Sequence, residues 1–145
     1  MMLIKQLSIF LENKTGRLTE VTDLLGDAGI NLSAFTIAES SDFGIMRVIV
    51  SDPDKAKQIL AQKGIAVSLT DVICLQCPNT PGALNKTLQL LSAGGISVEY
   101  MYAFAVNEFA QVVIRPDKIQ ECISLLQENH YELIKADDFY AFKEK

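Results

Sequence analysis

The chain has 145 residues, 49% hydrophobic and 21% charged, a composition typical of a folded globular protein rather than a disordered segment. The formal net charge is −5 and no basic cluster appears, so we expect neither nucleic acid nor a membrane surface as a partner. The N-terminus lacks a basic signal region, no apolar run could span a bilayer, and the three cysteines are odd in number. We therefore expect a cytoplasmic protein with reduced thiols.

A six-residue stretch occurs twice, 66 positions apart. Asn13-Lys14-Thr15-Gly16-Arg17-Leu18 returns as Asn79-Thr80-Pro81-Gly82-Ala83-Leu84, and Gly29-Ile30-Asn31 returns as Gly95-Ile96-Ser97. A repeat near half-length predicts two units, residues 1–70 and 71–145. Because units of this size are small for an independent core, and no flexible linker separates them, we expect them to pack side by side.

The first repeat shows an alternation of strand-like and helix-like patterns. Strands are predicted for 3–11, 30–37, 45–50 and 65–69, with helices for 18–28 and 53–63. Asp52 is a candidate N-cap with Pro53 at the first helical position, and Gly64 ends that helix.

The second repeat follows the same order. Strands are predicted for 72–77, 96–106, 110–114 and 131–134, before a last apolar segment at 139–142, with helices after Gly82 and from Pro116-Asp117. Aligning Pro116 with Pro53 makes the second hairpin three residues shorter than the first. Alternation places Val98, Tyr100, Tyr102 and Phe104 on one face, which predicts mostly core positions for these aromatic residues.

The order strand, helix, strand, strand, helix, strand predicts an α+β fold. Each βαββαβ unit is expected to form a ferredoxin-like antiparallel sheet with both helices on one face. Fold alone leaves function open, because this architecture serves many unrelated activities.

The repeated order of apolar strand, Asn-x-x-Gly-x-Leu, helix and Ala/Gly-Gly-Ile-Asn/Ser resembles the ACT domain, a family of small-molecule-sensing modules that most often bind amino acids. The resemblance covers essentially the whole chain as a tandem pair, with no catalytic domain attached. It implies a regulatory protein that binds an amino acid. The alternative is a regulatory subunit that acts by contact on an enzyme of amino-acid metabolism. We expect no cofactor.

The resemblance also implies the ligand-binding residues. They are Asn13, Gly16, Arg17, Leu18 and Asn31 in the first repeat, and Asn79, Gly82, Ala83, Leu84 and Ser97 in the second. Free N–H groups at a helix start suit a ligand carboxylate, and protein oxygens suit its ammonium group. The alternative is that the glycines only allow the chain to turn and that Asn31 bridges locally.

The family arrangement places the turn of one domain against the second strand of the other. It implies that 13–18 lies near 96–102 and that 79–84 lies near 30–35. Edges left after this pairing predict a homodimer. Because Arg17 has no counterpart in Ala83, we expect the two sites to differ in affinity.

No catalytic set can be assembled from the sequence. Cys74 and Cys77 lie three apart in a predicted strand and so point to opposite faces, which predicts buried thiols rather than a metal site or disulfide. His130 is the only histidine and is predicted at a helix end. A small ferredoxin-like enzyme would need a histidine or carboxylate cluster that the sequence does not show, so we expect no enzyme activity.

Overall fold

The computed structural model describes residues 2–12, 14–39 and 42–140. Its elements are β1 (Ile4–Glu12), α1 (Arg17–Asp27), β2 (Leu32–Glu39), β3 (Phe43–Val50), α2 (Pro53–Gln62), β4 (Val67–Pro78), α3 (Ala83–Ala93), β5 (Val98–Val106), β6 (Phe109–Pro116), α4 (Ile119–Glu128), β7 (Glu132–Leu133) and α5 (Ala136–Tyr140). The chain divides into two compact units. We call residues 5–70 with 137–140 the first unit, and 2–4 with 71–136 the second unit.

The first unit is built on a sheet in the order β2-β3-β1-β4, in which β1 and β2 both run antiparallel to β3. Its core joins one face of this sheet to α1 and α2, because alternate strand residues and the inner stripes of both helices are buried together. The core contains Leu7, Ile9, Leu11, Val21, Leu25, Ile30, Met46, Val48, Val50, Ala56 and Leu60. Both helices therefore lie on one face of the sheet.

The second unit repeats this arrangement with β4-β6-β5, and β7 pairs with β4 on the other side. Its core again joins one sheet face to the two helices. The core contains Ile73, Leu75, Cys77, Leu91, Ile96, Val112, Ile114, Cys122, Ile123, Leu126 and Leu133. The expected α+β fold of two ferredoxin-like βαββαβ units is confirmed.

The 66-residue offset holds through both hairpins. Leu32 pairs with Val50 in the first unit, and Val98 pairs with Pro116 in the second, each 66 positions later. The prediction of a shorter second hairpin is therefore wrong. Pro116 ends β6 and α4 begins at Ile119, because the Asp117 carboxylate accepts the Ser97 N–H at 2.9 Å instead of capping the helix.

Strand β5 also departs from the predicted pattern. Its pairing with β6 shifts register between Val98 and Tyr100, so that Val98 and Met101 both pack against the core. Tyr102 lies opposite Val113, on the other sheet face, and Phe104 is 39% exposed. The core positions predicted for the aromatic residues of β5 are wrong, because one extra residue in the strand reverses the alternation after it.

The start of α2 agrees with the sequence. The Asp52 side chain accepts the Lys55 N–H at 3.2 Å, and Pro53 is the first helical residue. Of the apolar segment expected at 139–142, residues 139 and 140 belong to α5, and 141 and 142 lie outside the described residues. Within the described ranges, no helix is long and apolar enough to cross a membrane.

Candidate functional site

The two glycine turns have the same backbone geometry. Gly16 has φ of +90° and Gly82 has φ of +84°, and each precedes the first residue of its helix without a side-chain cap. The Arg17 N–H donates to Lys14 O at 3.3 Å, and the Ala83 N–H donates to Thr80 O at 3.2 Å. The next N–H groups of each helix have no intrahelical acceptor, so they remain available to a ligand.

A cavity borders each turn inside its own unit. The cavity in the second unit has a volume of about 900 Å³ and that in the first about 340 Å³. Most residues of the smaller cavity have a counterpart 66 positions later in the wall of the larger one. These are Phe10, Glu12, Arg17, Glu20, Phe43, Lys63, Gly64, Ile65 and Ala66. The repeat has therefore duplicated a concave surface together with the turn.

The first turn carries a network of ion pairs. The Arg17 guanidinium lies 3.0 Å from Glu20 Oε2 and 3.6 Å from Glu12 Oε1. Lys14 Nζ lies 2.8 Å from Glu12 Oε2. The hydrogen bond and charge of Lys14, followed by the charge of Arg17, hold the pKa of Glu12 below its usual value. The cations of this turn are therefore already engaged by the protein's own carboxylates.

The second turn lacks this network. Pro78, Ala83 and Lys86 stand where the first repeat has Glu12, Arg17 and Glu20. Asn79 fastens the turn to the β5–β6 hairpin: its backbone N–H donates to Glu108 O at 2.7 Å, and its Nδ2 donates to Asn107 O at 3.1 Å. The two turns thus differ in their charged residues and in the hydrogen bonds that hold them.

A hydrogen bond between two hydroxyl groups holds the wall of the second cavity. Thr87 Oγ1 donates to the Tyr131 hydroxyl at 3.1 Å and lies 3.3 Å from Ala83 O. Thr87 is completely buried, and Tyr131 belongs to the segment that follows α4. This contact fixes that segment against α3 and so keeps the cavity's two sides in place.

The structure places seven predicted site residues at the two turns, among them Asn79, and leaves others elsewhere. Gly16, Arg17 and Leu18 lie at the start of α1, and Gly82, Ala83 and Leu84 lie at the start of α3. Asn13 lies outside the described residues. Within the first unit, the turn meets the far end of β2, where a cavity of about 180 Å³ is lined by Leu18, Ile37 and Glu39.

Asn31 and Ser97 do not lie beside the turn of their own repeat. Asn31 follows the C-terminal end of α1, whose 11 residues span about 16 Å. Its N–H donates to Ser51 Oγ at 2.9 Å, and its carbonyl accepts the Ser51 N–H at 2.9 Å. Ser97 exchanges the equivalent bonds with Asp117, at 2.9 and 3.0 Å. Their predicted approach to the turn of the other repeat stays a prediction.

Sequence reasoning missed part of the larger cavity, above all Lys86, His130 and Glu132. His130 follows α4 with φ of +64°, at the position that Gly64 occupies in the first repeat with φ of +75°. The 66-residue offset alone could have pointed to this segment, because a histidine in place of a helix-ending glycine is an unusual substitution.

The cysteines are free and buried, as the sequence predicted. Cys77 belongs to the helix-side core and Cys74 does not, which agrees with opposite faces of β4. Burial raises the pKa of Cys74 to about 12 and that of Cys122 to about 11, so both thiols stay protonated at neutral pH. No group of residues that could hold a metal ion occurs among the described residues.

Two ferredoxin-like units with duplicated glycine turns define a tandem pair of related domains. Residues 2–142 match the family model of the ACT domain pair, so the chain belongs to this family. The ACT domain pair is a regulatory fold. A crystal structure of a protein from Bacteroides thetaiotaomicron is 57% identical, covers 97% of this chain and 98% of its own, and superposes with a TM-score of 0.93.

More distant structures share the fold. The regulatory subunit of aspartate kinase from Thermus thermophilus is 15% identical, with 88% of this chain and 94% of that chain covered and a TM-score of 0.67. Aspartate kinase from Clostridium acetobutylicum is 13% identical, with 87% of this chain and 33% of that chain covered and a TM-score of 0.55. Comparison with curated proteins gave no match.

Proposed function

We propose that this ACT domain pair binds a free amino acid and reports its presence to another protein, without a catalytic step of its own. The observation that carries the proposal is the pair of left-handed glycine turns, each at a helix start and each beside a cavity. Exposed helix N–H groups favour a carboxylate, and the cavity gives room for the rest of a small ligand.

The proposed binding residues are those that the family resemblance implies in the two repeats. They are Asn13, Gly16, Arg17, Leu18 and Asn31 in the first repeat, and Asn79, Gly82, Ala83, Leu84 and Ser97 in the second. The ion pairs of Arg17 with Glu12 and Glu20 support unequal affinities, because a ligand carboxylate must compete with them in the first repeat only.

A thermal-shift screen against the standard L-amino acids at millimolar concentration tests the proposal. A ligand that binds only the folded protein adds about 2.7 kcal/mol at roughly a hundred times its dissociation constant, which raises the melting temperature measurably. The matched control is the 2-hydroxy acid with the same side chain, which keeps the carboxylate and lacks the ammonium. A flat response to every amino acid would remove the basis for this function.

A second candidate function is that of a regulatory subunit acting by contact on an enzyme of amino-acid metabolism. Large apolar side chains of the first unit support it: Leu18 is 40% exposed, Phe35 57% and Ile37 44%. The Thermus thermophilus structure with this fold is itself named a regulatory subunit of an amino-acid kinase. Retention of the aspartate kinase of the same cells by the tagged chain, lost in Phe35→Lys, would favour this candidate.

A further inference from the structure

The second glycine turn is fastened to the hairpin formed by β5 and β6. Asn79, which opens the turn, donates its backbone N–H to Glu108 O at 2.7 Å and its Nδ2 to Asn107 O at 3.1 Å. Asn107 and Glu108 are the two residues between β5 and β6, so both bonds end on the hairpin loop. The turn and the loop, far apart in sequence, therefore meet through hydrogen bonds.

The same turn borders the larger cavity. Residues 80–82, which follow Asn79 directly, all belong to the cavity lining. From the hairpin, Phe109 belongs to it as well, but the loop residues Asn107 and Glu108 do not. A ligand in the cavity would thus meet the turn itself, whereas the hairpin loop would be reached through Asn79.

Unfavourable backbone conformations also occur beside this turn. Among the described residues other than glycine, Asn107 and His130 have positive φ, of +60° and +64°. The carbonyl of Asn107 accepts the bond from Asn79, and His130 lines the cavity. Such conformations persist where neighbouring contacts hold them, and they cluster at binding sites and switches. The bond from Asn79 is one contact that holds the hairpin loop in this conformation.

We propose that an amino acid bound at the second turn acts on the β5–β6 hairpin through Asn79. The ligand orders the turn, the turn holds Asn79 against the loop, and the loop becomes more rigid. The inference rests on the proposed function and goes beyond it, because it names the element that responds to the ligand. It also gives Asn79 a positioning role, since its Nδ2 is directed at Asn107 O.

The contact between turn and loop suits this role because it lies at the surface. The bond from Asn79 Nδ2 is exposed, and exposed hydrogen bonds open more readily than those of the core. A ligand shifts only an equilibrium in which both states are populated, so a contact that opens leaves room for a response. Coupling is also reciprocal: if the ligand strengthens the contact, the contact strengthens ligand binding by the same factor.

Hydrogen exchange on the full chain tests the transmission. The probe is the standard L-amino acid with the largest thermal shift, added at saturating concentration to the wild type and to Asn79→Ala. In the wild type, we expect the ligand to slow exchange of the amides of residues 107–109 about threefold to tenfold, because one hydrogen bond is worth a factor of this size. In Asn79→Ala, the ligand should slow the same amides by less than about twofold.

Calorimetry with the same amino acid tests the reverse direction. Asn107 lies outside the cavity lining, and Asn107→Val disturbs the loop because a β-branched residue resists positive φ. We expect this variant to weaken binding about threefold to tenfold. Asn107→Gly is the matched control, because glycine adopts positive φ freely and keeps the carbonyl that Asn79 binds. It should change affinity by less than about twofold.

A double variant separates one shared contact from two independent defects. Asn79→Ala should weaken binding about as much as Asn107→Val, and the two together no more than the stronger single variant, because both disturb the same contact. Gln89→Ala removes a side-chain amide from an exposed position of α3 outside the cavity lining, and should leave affinity within about twofold.

The outcomes distinguish this inference from the proposed function. If the wild type binds no amino acid, both are overturned. If the wild type binds one while exchange at residues 107–109 does not change, or while Asn107→Val binds as well as Asn107→Gly, the transmission to the hairpin is wrong and the function stands. Fully additive losses in the double variant would likewise contradict a shared contact.

Discussion

At Gly16 and Gly82 the backbone, not the space around the Cα atom, requires glycine. Both φ values are positive, and an added Cβ would meet no atom within 4 Å at either position. We predict that Gly82→Ala lowers the free energy of unfolding by about 1 to 2 kcal/mol, since a Cβ disfavours left-handed backbone by that amount. Urea denaturation measures this loss.

Gly26 in α1 supplies the matched control. Its backbone is helical, and a Cβ there also meets no atom within 4 Å. Gly26→Ala should raise the free energy of unfolding by roughly 0.5 to 1 kcal/mol, because alanine loses less backbone freedom in a helix. Equal effects of the two substitutions would contradict a conformational requirement at Gly82. Gly82→Val should in addition weaken ligand binding, because a β-branched side chain resists the positive φ that the turn needs.

We predict that the burial of Cys74 makes the free energy of unfolding fall at alkaline pH. Its pKa is raised from 9.0 to about 12 because burial disfavours the thiolate. The folded state therefore keeps a proton that the unfolded state releases. The stability that this proton contributes is complete below pH 9.0 and is lost progressively as pH rises toward about 12. Unfolding free energies of the wild type should thus fall more steeply above pH 9.0 than those of Cys74→Ala. Parallel curves would contradict the shift.

At the scale of elements, α2 and α4 are equivalent helices of the two repeats that differ in their N-terminal caps. Asp52 caps α2 through Lys55, whereas Lys118 occupies the same position before α4 without a side-chain cap. We predict that Asp52→Ala costs about 1 kcal/mol of unfolding free energy and that Lys118→Asp gains a similar amount. Thermal or urea unfolding of both variants checks the prediction.

Lys118→Ala is the control for the gain. It removes the 3.3 Å hydrogen bond from Lys118 Nζ to Gly95 O without adding a cap. Because this contact is exposed, its loss should change stability by less than about 0.5 kcal/mol. If Lys118→Asp is no more stable than Lys118→Ala, a side-chain cap on α4 does not add to the stability of the protein.

Because the sequence repeats, most helices and strands could be predicted from it. The features that were not predicted are local, such as the bulge in β5. The glycine turns and the cap of α2 follow from residue type, and the order of strands follows from periodicity. The bulge in β5 does not, because Met101, Ala103 and Ala105 form an alternating set that competes with the aromatic one. A single-sequence pattern cannot choose between two apolar sets one residue out of phase.

The candidate site was predictable only at its turns. Gly82 carries a sequence signal, since it recurs after a strand and before a helix. Lys86 and Glu132 carry none of their own, because they come from a helix and a strand separated by 46 positions. Tertiary packing alone places both residues in the lining of one cavity.

At the scale of the whole molecule, the first unit has an apolar edge. Strand β2 ends its sheet, with β3 as its neighbour. Phe35 and Ile37 lie opposite Val48 and Met46, which belong to the helix-side core, so their side chains project on that same face. Yet Phe35 is 57% exposed and Ile37 44%. An open edge beside exposed apolar side chains favours pairing with a second copy, which would add a strand and bury them.

We propose that two copies of the chain form a homodimer by pairing at β2. The substitution Ile37→Lys tests this dimer. A lysine at the edge opposes strand pairing by charge and desolvation, so light scattering should show a shift from dimer toward the 16.0 kDa monomer. Ala103→Lys is the control, because Ala103 occupies the same position in β5 of the second repeat and is already exposed. Dimers of unchanged stability in Ile37→Lys, or a shift in Ala103→Lys alone, would place the interface elsewhere. A monomeric wild type at micromolar concentration would refute the dimer itself.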